Sequence, residues 1–240
     1  MYAIITHHDA VYKPLADLTW EGNKLHYAKK HGYAVHARTD NFVTAGQSKY
    51  AMTGFEKIHL ALSTLEEHPE YEWIWWTGTD TMITNFSTRI EDRVNNAYHF
   101  IVCVDVNGIN ADSFLVRNSQ EGKDFLKSIL SFEEEYLAKY WDTEQRAIAN
   151  LLGFPGTGDT TWPYGDAVKV NDKYKDIVKV MPQRYMNSFN YMLYPQYKVP
   201  RDKLDFDGNW QLGDWLIHWP ACDVPYRIQL YNFYKEYIIK

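Results

Sequence analysis

The chain has only two cysteines in 240 residues, Cys103 and Cys222, and they carry none of the paired spacings of a zinc site or a disulfide framework. Both read as buried free thiols, which suits a reducing compartment. No run of about 18 apolar residues occurs, so no transmembrane helix is expected. Met1 leads straight into Tyr2-Ala3-Ile4-Ile5-Thr6 without the basic flank of a signal peptide. The expectation is a cytoplasmic protein, or a piece separated from a membrane anchor. Positive charge is also short. Lys and Arg number 25 against 31 Asp and Glu, for a net charge of −6, which excludes a groove tracking a nucleic-acid polymer. Internal repeats, low-complexity tracts and a glycine-rich phosphate loop are missing too. A small anionic ligand would therefore be held locally, through a metal.

What is present is apolar and aromatic. At 45% hydrophobic residues the chain can bury a full core, and residues 1–240 read as one domain of α/β or α+β type. The 19 Tyr, 11 Phe and 9 Trp exceed what such a core needs, and the surplus suits the apolar faces of sugars. The stretch that organises the rest is Trp73-Ile74-Trp75-Trp76-Thr77-Gly78-Thr79-Asp80, a buried strand closing on one carboxylate. Strand carboxyl ends are where α/β sheets bind ligands, and Asp80 there can hold a hard divalent cation. The competing reading makes Asp80 a cap for the following turn.

Taken in order, Tyr2 to Thr6 is the first strand and Leu18 to His31 a helix with Leu25, Tyr27 and Ala28 inward and Lys24, Lys29 and Lys30 outward; Tyr33 to Ala37 is a second strand. Thr53 to Glu56 has capping-box spacing that predicts a helix start, with Lys57 in its first turn. Ser87 to Asn96 reads as a short helix, His99 to Asp105 as a strand, Asn107 to Asp112 as a polar turn and Ser113 to Asn118 as an antiparallel strand on the sheet's far side. One long helix is expected over Ser119 to Tyr140, a capped one from Asp142, and a loop over Gly153 to Gly165. Val178 to Pro182 and Trp215 to His218 are late strands, the latter ending on an imidazole expected to be partly exposed.

Five blocks in order resemble the glycosyltransferase family of fungal α-galactosyl- and α-mannosyltransferases and plant xyloglucan xylosyltransferases. They are Asn23-Lys24 with Tyr27-Ala28 and His31-Gly32-Tyr33; Trp75 to Asn85; Asp112 to Asn118; Thr143-Glu144-Gln145; and Pro182 to Asn187 followed by Gly213-Asp214, His218 and Cys222. The resemblance implies an α/β fold of GT-A type, a Rossmann-like mixed sheet flanked by helices. It further implies a retaining, metal-dependent transfer of a hexose or pentose from a UDP- or GDP-sugar to a glycan or other acceptor. Asp80 and His218 would ligate Mn2+ or Mg2+, Asn23, Lys57, Thr79 and Asp80 would line the donor, and Gln145 and Glu144 would stand beside the sugar.

Three positions depart from the family pattern. Gly78 replaces the first acid of an Asp-x-Asp segment, Asp112 replaces a glycine, and Ala221 stands near a glycine. Without the acid at 78, Asp80 supplies the metal ligand and the ribose contact falls to backbone or Thr79. Replacing Gly78 by Asp is then expected to tighten binding or leave it unchanged, provided the backbone there is not left-handed. The alternative is a catalytically inactive sugar-nucleotide or glycan-binding module on the same fold. A metal-dependent phosphohydrolase would want more clustered acids and histidines.

Overall fold

The computed structural model describes residues 1–43, 49–105, 108–140, 142–154, 170–189 and 208–240. Its strands are β1 (Tyr2–His7), β2 (Ala34–Arg38), β3 (Trp73–Thr77), β4 (Thr81–Ile83), β5 (Phe100–Asp105), β6 (Gly108–Arg117), β7 (Val178–Met181), β8 (Ser188–Phe189) and β9 (Leu216–His218). Six of them form a mixed sheet in the order β2-β1-β3-β6-β5-β7, and β4-β9-β8 form a smaller one. β1 pairs parallel with β2 and β3, whereas β6 runs antiparallel between β3 and β5. The segment expected on the far side of the sheet is thus central, and its polar start at 108–112 is strand rather than turn.

Alternation along buried strands sets the layers. Ile74 and Trp76, with Phe114, Val116, Phe100 and Val102, face one apolar cluster. Trp73, Trp75, Leu115 and Ile101 face a second on the opposite side of the sheet. Successive strand side chains point to opposite faces, so a strand buried throughout serves two cores. The helices α3 (Lys49–Glu67), α4 (Gln120–Leu130) and α6 (Thr143–Leu152) supply Phe55, Phe125 and Ile148 to the first. The second cluster includes Tyr27 of α2 (Leu25–His31) and Trp215, whose ring stacks on Trp75 at 4.1 Å.

Several local expectations are corrected. Helical backbone begins at α1 (Lys13–Ala16) and passes through a π-helical stretch, Asp17–Lys24, before α2. The wider π turn shifts the inward face, so Lys24 is wholly buried rather than solvated. α3 begins at Lys49, which places Thr53 and Glu56 inside the helix. Glu56 accepts instead from the N–H groups of Phe42 and Val43. Of Ser87 to Asn96 only a 3-10 turn at Ile90–Asp92 forms. The long helix breaks at Ser131 into α4 and α5 (Glu133–Lys139), and Asp142 leads α6 without capping it, its carboxylate going to Arg146. Cys103 is buried, its thiol pushed up to about 12 by burial, but Cys222 is only half-buried. Most of the predicted 153–165 loop lies outside the described residues. Among those described, no helix is long and apolar enough to cross a membrane.

Candidate metal and donor site

Thr77 to Thr81 turns the chain from β3 of the large sheet into β4 of the small one. The Gly78 N–H donates to Asp112 O at 2.9 Å and the Trp219 N–H to Asp80 O at 3.0 Å, so this turn is tied to both β6 and the end of β9. β4 itself is held from behind. Asn23 clamps it like a neighbouring strand, donating to Ile83 O at 3.0 Å and accepting from Ile83 N at 2.8 Å. Lys24 Nζ donates to Thr81 O at 2.6 Å and Thr19 O at 3.4 Å. Burial lowers the Lys24 ammonium to about 7 despite the Asp80 charge nearby, because desolvation disfavours the charged form. Both ends of the Asn23 amide serve backbone, so its part in the site is to place β4. Thr79 is likewise buried and its hydroxyl donates to His7 O at 3.1 Å.

His218 closes the site from the small sheet, where it pairs with Thr81 on one side and Phe189 on the other. Flanked on both edges, it has no exposed surface, contrary to the partial exposure expected of a strand end. Its Nδ1 lies 2.8 Å from Asn187 Oδ1. With a carbonyl oxygen there Nδ1 donates, and in the neutral ring Nε2 then presents a lone pair, the tautomer a metal ligand needs. Nε2 is 3.5 Å from Asp80 Oδ2 and 3.5 Å from Asp112 Oδ2, yet completes a well-formed hydrogen bond to neither. Ligand atoms of Asp80, Asp112 and His218 lie within 4.8 Å of one another. Two carboxylates and an imidazole suit Mn2+ or Mg2+, and a buried nitrogen with no partner is what a cation would satisfy.

Two buried cations frame this group. Arg227, on α7 (Val224–Tyr234), puts Nη2 2.8 Å from Asp80 Oδ2, with Nε on Trp219 O and Nη1 on Tyr12 OH. Burial would raise the Asp80 carboxyl, but the Arg227 guanidinium holds it well below the usual carboxylate range. Asp80 Oδ2 thus faces both Arg227 and the His218 ring. On the other flank Lys57 Nζ bridges Asp112 Oδ1 at 2.7 Å and Glu144 Oε1 at 2.8 Å. Burial pulls the Lys57 ammonium down, and the two carboxylates outweigh it and raise it. Lys57 sits two turns into α3, not in a first turn. Gln145 Oε1 accepts from the Ala111 N–H at 3.1 Å. A continuous polar chain thus runs from Glu144 through Lys57, Asp112, His218 and Asp80 to Arg227.

The structure brings Asp80, His218, Lys57 and Glu144 into one chain of contacts, sets Gln145 against β6 beside Asp112, and leaves Asn23 as a brace. Sequence reasoning missed Asn187 and Arg227. Asn187 ends the Pro182 to Asn187 block and was open to notice; Arg227 belongs to no motif. Gly213-Asp214 resolves as scaffolding, because the Asp214 carboxylate grips Arg184 at 2.8 and 3.2 Å and accepts from Ser188 and Gln211 N.

Comparison with known proteins agrees with this architecture. The chain is 25% identical over 243 residues to an alpha-1,2-galactosyltransferase of Schizosaccharomyces pombe, covering 84% of this chain and 55% of that one. It is 32% identical over 114 residues to a probable xyloglucan 6-xylosyltransferase 1 of Oryza sativa, covering 43% and 24%. It spans about half the length, or less, of these relatives. Among solved structures, a glycosyltransferase involved in glycosylation of the major capsid of PBCV-1 superposes with a TM-score of 0.68 at 14% identity, over 97% of this chain and 98% of that one. The mixed sheet flanked by helices is the GT-A glycosyltransferase fold. Residues 10–98 and 94–228 match a family description, which between them take in every residue of the polar chain from Lys57 to Arg227, and the protein belongs to the galactosyl transferase GMA12/MNN10 family.

Proposed function

We propose that the protein is a retaining glycosyltransferase that moves a hexose or pentose from a UDP- or GDP-sugar to a glycan or other acceptor, with Mn2+ or Mg2+ on Asp80, His218 and Asp112. The observation that carries this reading is the wholly buried His218 Nε2, without a hydrogen-bond partner and facing two carboxylates 3.5 Å away. A divalent ion held there would neutralise charge building on the departing diphosphate. The protein's own residues do the rest. Asn187 fixes the imidazole tautomer, Asn23 and Lys24 hold the β4 backbone behind Asp80, and Lys57 holds Asp112. Glu144 is poorly suited to act as a nucleophile, since its carboxylate is nearly buried and paired to Lys57 at 2.8 Å. Retention by double displacement needs an available carboxylate. The reading favoured here is front-face transfer, with Gln145 and Glu144 lining the sugar.

One observation supports a second reading, an inactive sugar-nucleotide or glycan-binding module. Arg227 and Lys57 already take one oxygen each of Asp80 and Asp112, which weakens the pull of those carboxylates on a cation. Incubating the protein with a panel of UDP- and GDP-sugars, acceptor glycans and Mn2+, with mass spectrometry of the products, separates the two. Mn2+-dependent sugar release or transfer from one donor supports the enzyme. Donor or glycan binding with no turnover favours the module, and binding of neither a nucleotide sugar nor a glycan contradicts both.

A further inference from the structure

Gly78 is not a glycine for the sake of its backbone. The glycines with positive φ among the described residues are Gly32, Gly108, Gly153 and Gly213, so an L side chain is conformationally acceptable at 78. Crowding opposes it instead. A Cβ built on Gly78 would lie 2.7 Å from Asp80 Oδ1 and 3.8 Å from the Asp112 Cβ. Asp80 has little room to yield, because Arg227 holds its other oxygen at 2.8 Å. Asp112 stands directly across the ladder. The last paired residues of β3 and β6 are Thr77 and Ser113, and the Gly78 N–H continues the ladder to Asp112 O. From that position Lys57 pins Asp112 Oδ1 and leaves Oδ2 3.5 Å from His218 Nε2. The two side-chain positions are therefore cross-strand neighbours, and a carboxylate at either one would stand beside Asp80.

We propose that Asp112 and Gly78 are a compensating pair: Asp112 supplies, from the neighbouring strand, the second carboxylate of the cation site, and residue 78 is glycine so that this carboxylate can enter. The proposal rests on the metal-bridged reading above and deepens it by linking the acid at 112 to the glycine at 78. It reverses the expectation that Gly78→Asp would be harmless or helpful, because in the presence of Asp112 a third carboxylate would crowd Asp80 and repel both neighbours.

The test uses the full chain as parent, Gly78→Asp, Asp112→Gly, Asp112→Asn and the double exchange Gly78→Asp/Asp112→Gly. Mn2+ binding to nucleotide-free protein is read by calorimetry, and urea unfolding is followed in chelator. Asp112→Gly and the similarly shaped Asp112→Asn are expected to weaken Mn2+ binding about tenfold or more. Gly78→Asp alone is expected to lower the unfolding midpoint. The double exchange is expected to recover most of the Mn2+ affinity lost in Asp112→Gly and to show a smaller midpoint loss than Gly78→Asp causes in the parent, because the contact with Asp80 stays while the repulsion from Asp112 is gone. Parent-like Mn2+ binding by both Asp112 variants overturns the pairing while leaving the metal-bridged reading standing. So does a double exchange that binds no better than Asp112→Gly, or a Gly78→Asp midpoint loss equal in both backgrounds. A parent that binds no Mn2+ overturns the metal-bridged reading, and the ligand role of Asp112 with it.

Discussion

Lys57→Met is the most informative single change. Its ammonium lies 2.7 Å from Asp112 and 2.8 Å from Glu144, with side-chain exposures of 7%, 31% and 5% respectively. Methionine keeps most of the volume and removes the charge, stranding the Glu144 carboxylate in the interior. Breaking a buried pair by removing one partner costs about 3–5 kcal/mol. The pair with half-exposed Asp112 is screened and adds only on the order of 0.5 kcal/mol. A loss near 4 kcal/mol corresponds to a Tm lower by roughly 8–16 °C for a domain of this size. The sign with pH is definite. The Lys57 pKa is raised in the folded protein, so its stabilisation is complete below the unfolded lysine value of about 10.4 and is lost only at higher pH. At pH 7 the whole effect should be seen. Urea unfolding in chelator measures it, and Lys57→Met/Glu144→Gln should recover about 2 kcal/mol, because the stranded charge is gone. A Lys57→Met midpoint equal to that of the parent, or a double variant no more stable than Lys57→Met, would refute the buried-pair argument.

Other outcomes follow from the same geometry. Lys24→Met should flatten the pH dependence of stability: with the folded ammonium at about 7 and the unfolded one near 10.4, the unfolded chain binds the extra proton between these values, so stability rises with pH across that window by about 5 kcal/mol at most. Identical slopes for parent and variant between pH 7 and 9.5 would contradict it. Arg227→Gln should lower stability at pH 7 by about 3–5 kcal/mol in chelator, since it strands Asp80, and Mn2+ should restore more stability to this variant than to the parent. His218→Ala empties a fully buried position and should cost about 2–4 kcal/mol as well as Mn2+ binding; His218→Gln, similar in bulk, tests the two effects apart by calorimetry and urea unfolding.

The strands were legible because burial on both faces leaves a direct trace: Trp73 to Thr77 and Phe100 to Asp105 are short apolar runs ended by polar residues. What failed did so for identifiable reasons. The π-helical stretch before Lys24 adds residues to a turn, so a 3.6-residue reading placed a buried lysine in solvent. Thr53 and Glu56 have capping-box spacing by coincidence, since Glu56 is occupied with the Phe42 and Val43 amides, 14 and 13 residues back. Asp80 and His218 could be named from ordered blocks, but the burial of His218 depends on β4 and β8 closing over it, and such pairings over long sequence separations leave no local signature. Arg227 reaches Asp80 across 147 residues of chain for the same reason. Asp112 was visible only as a departure from pattern; its meaning needed the register of β3 against β6.

The central claim is that a divalent cation on Asp80, His218 and Asp112 carries the nucleotide diphosphate. Calorimetric titration of the parent with UDP and with GDP, in Mn2+ and again after chelation, addresses it most directly. Binding of one nucleotide with Mn2+ is expected, lost on chelation and lost in Asp80→Ala. Equal affinity with and without the metal, or Mn2+-dependent binding undiminished in Asp80→Ala, would contradict it.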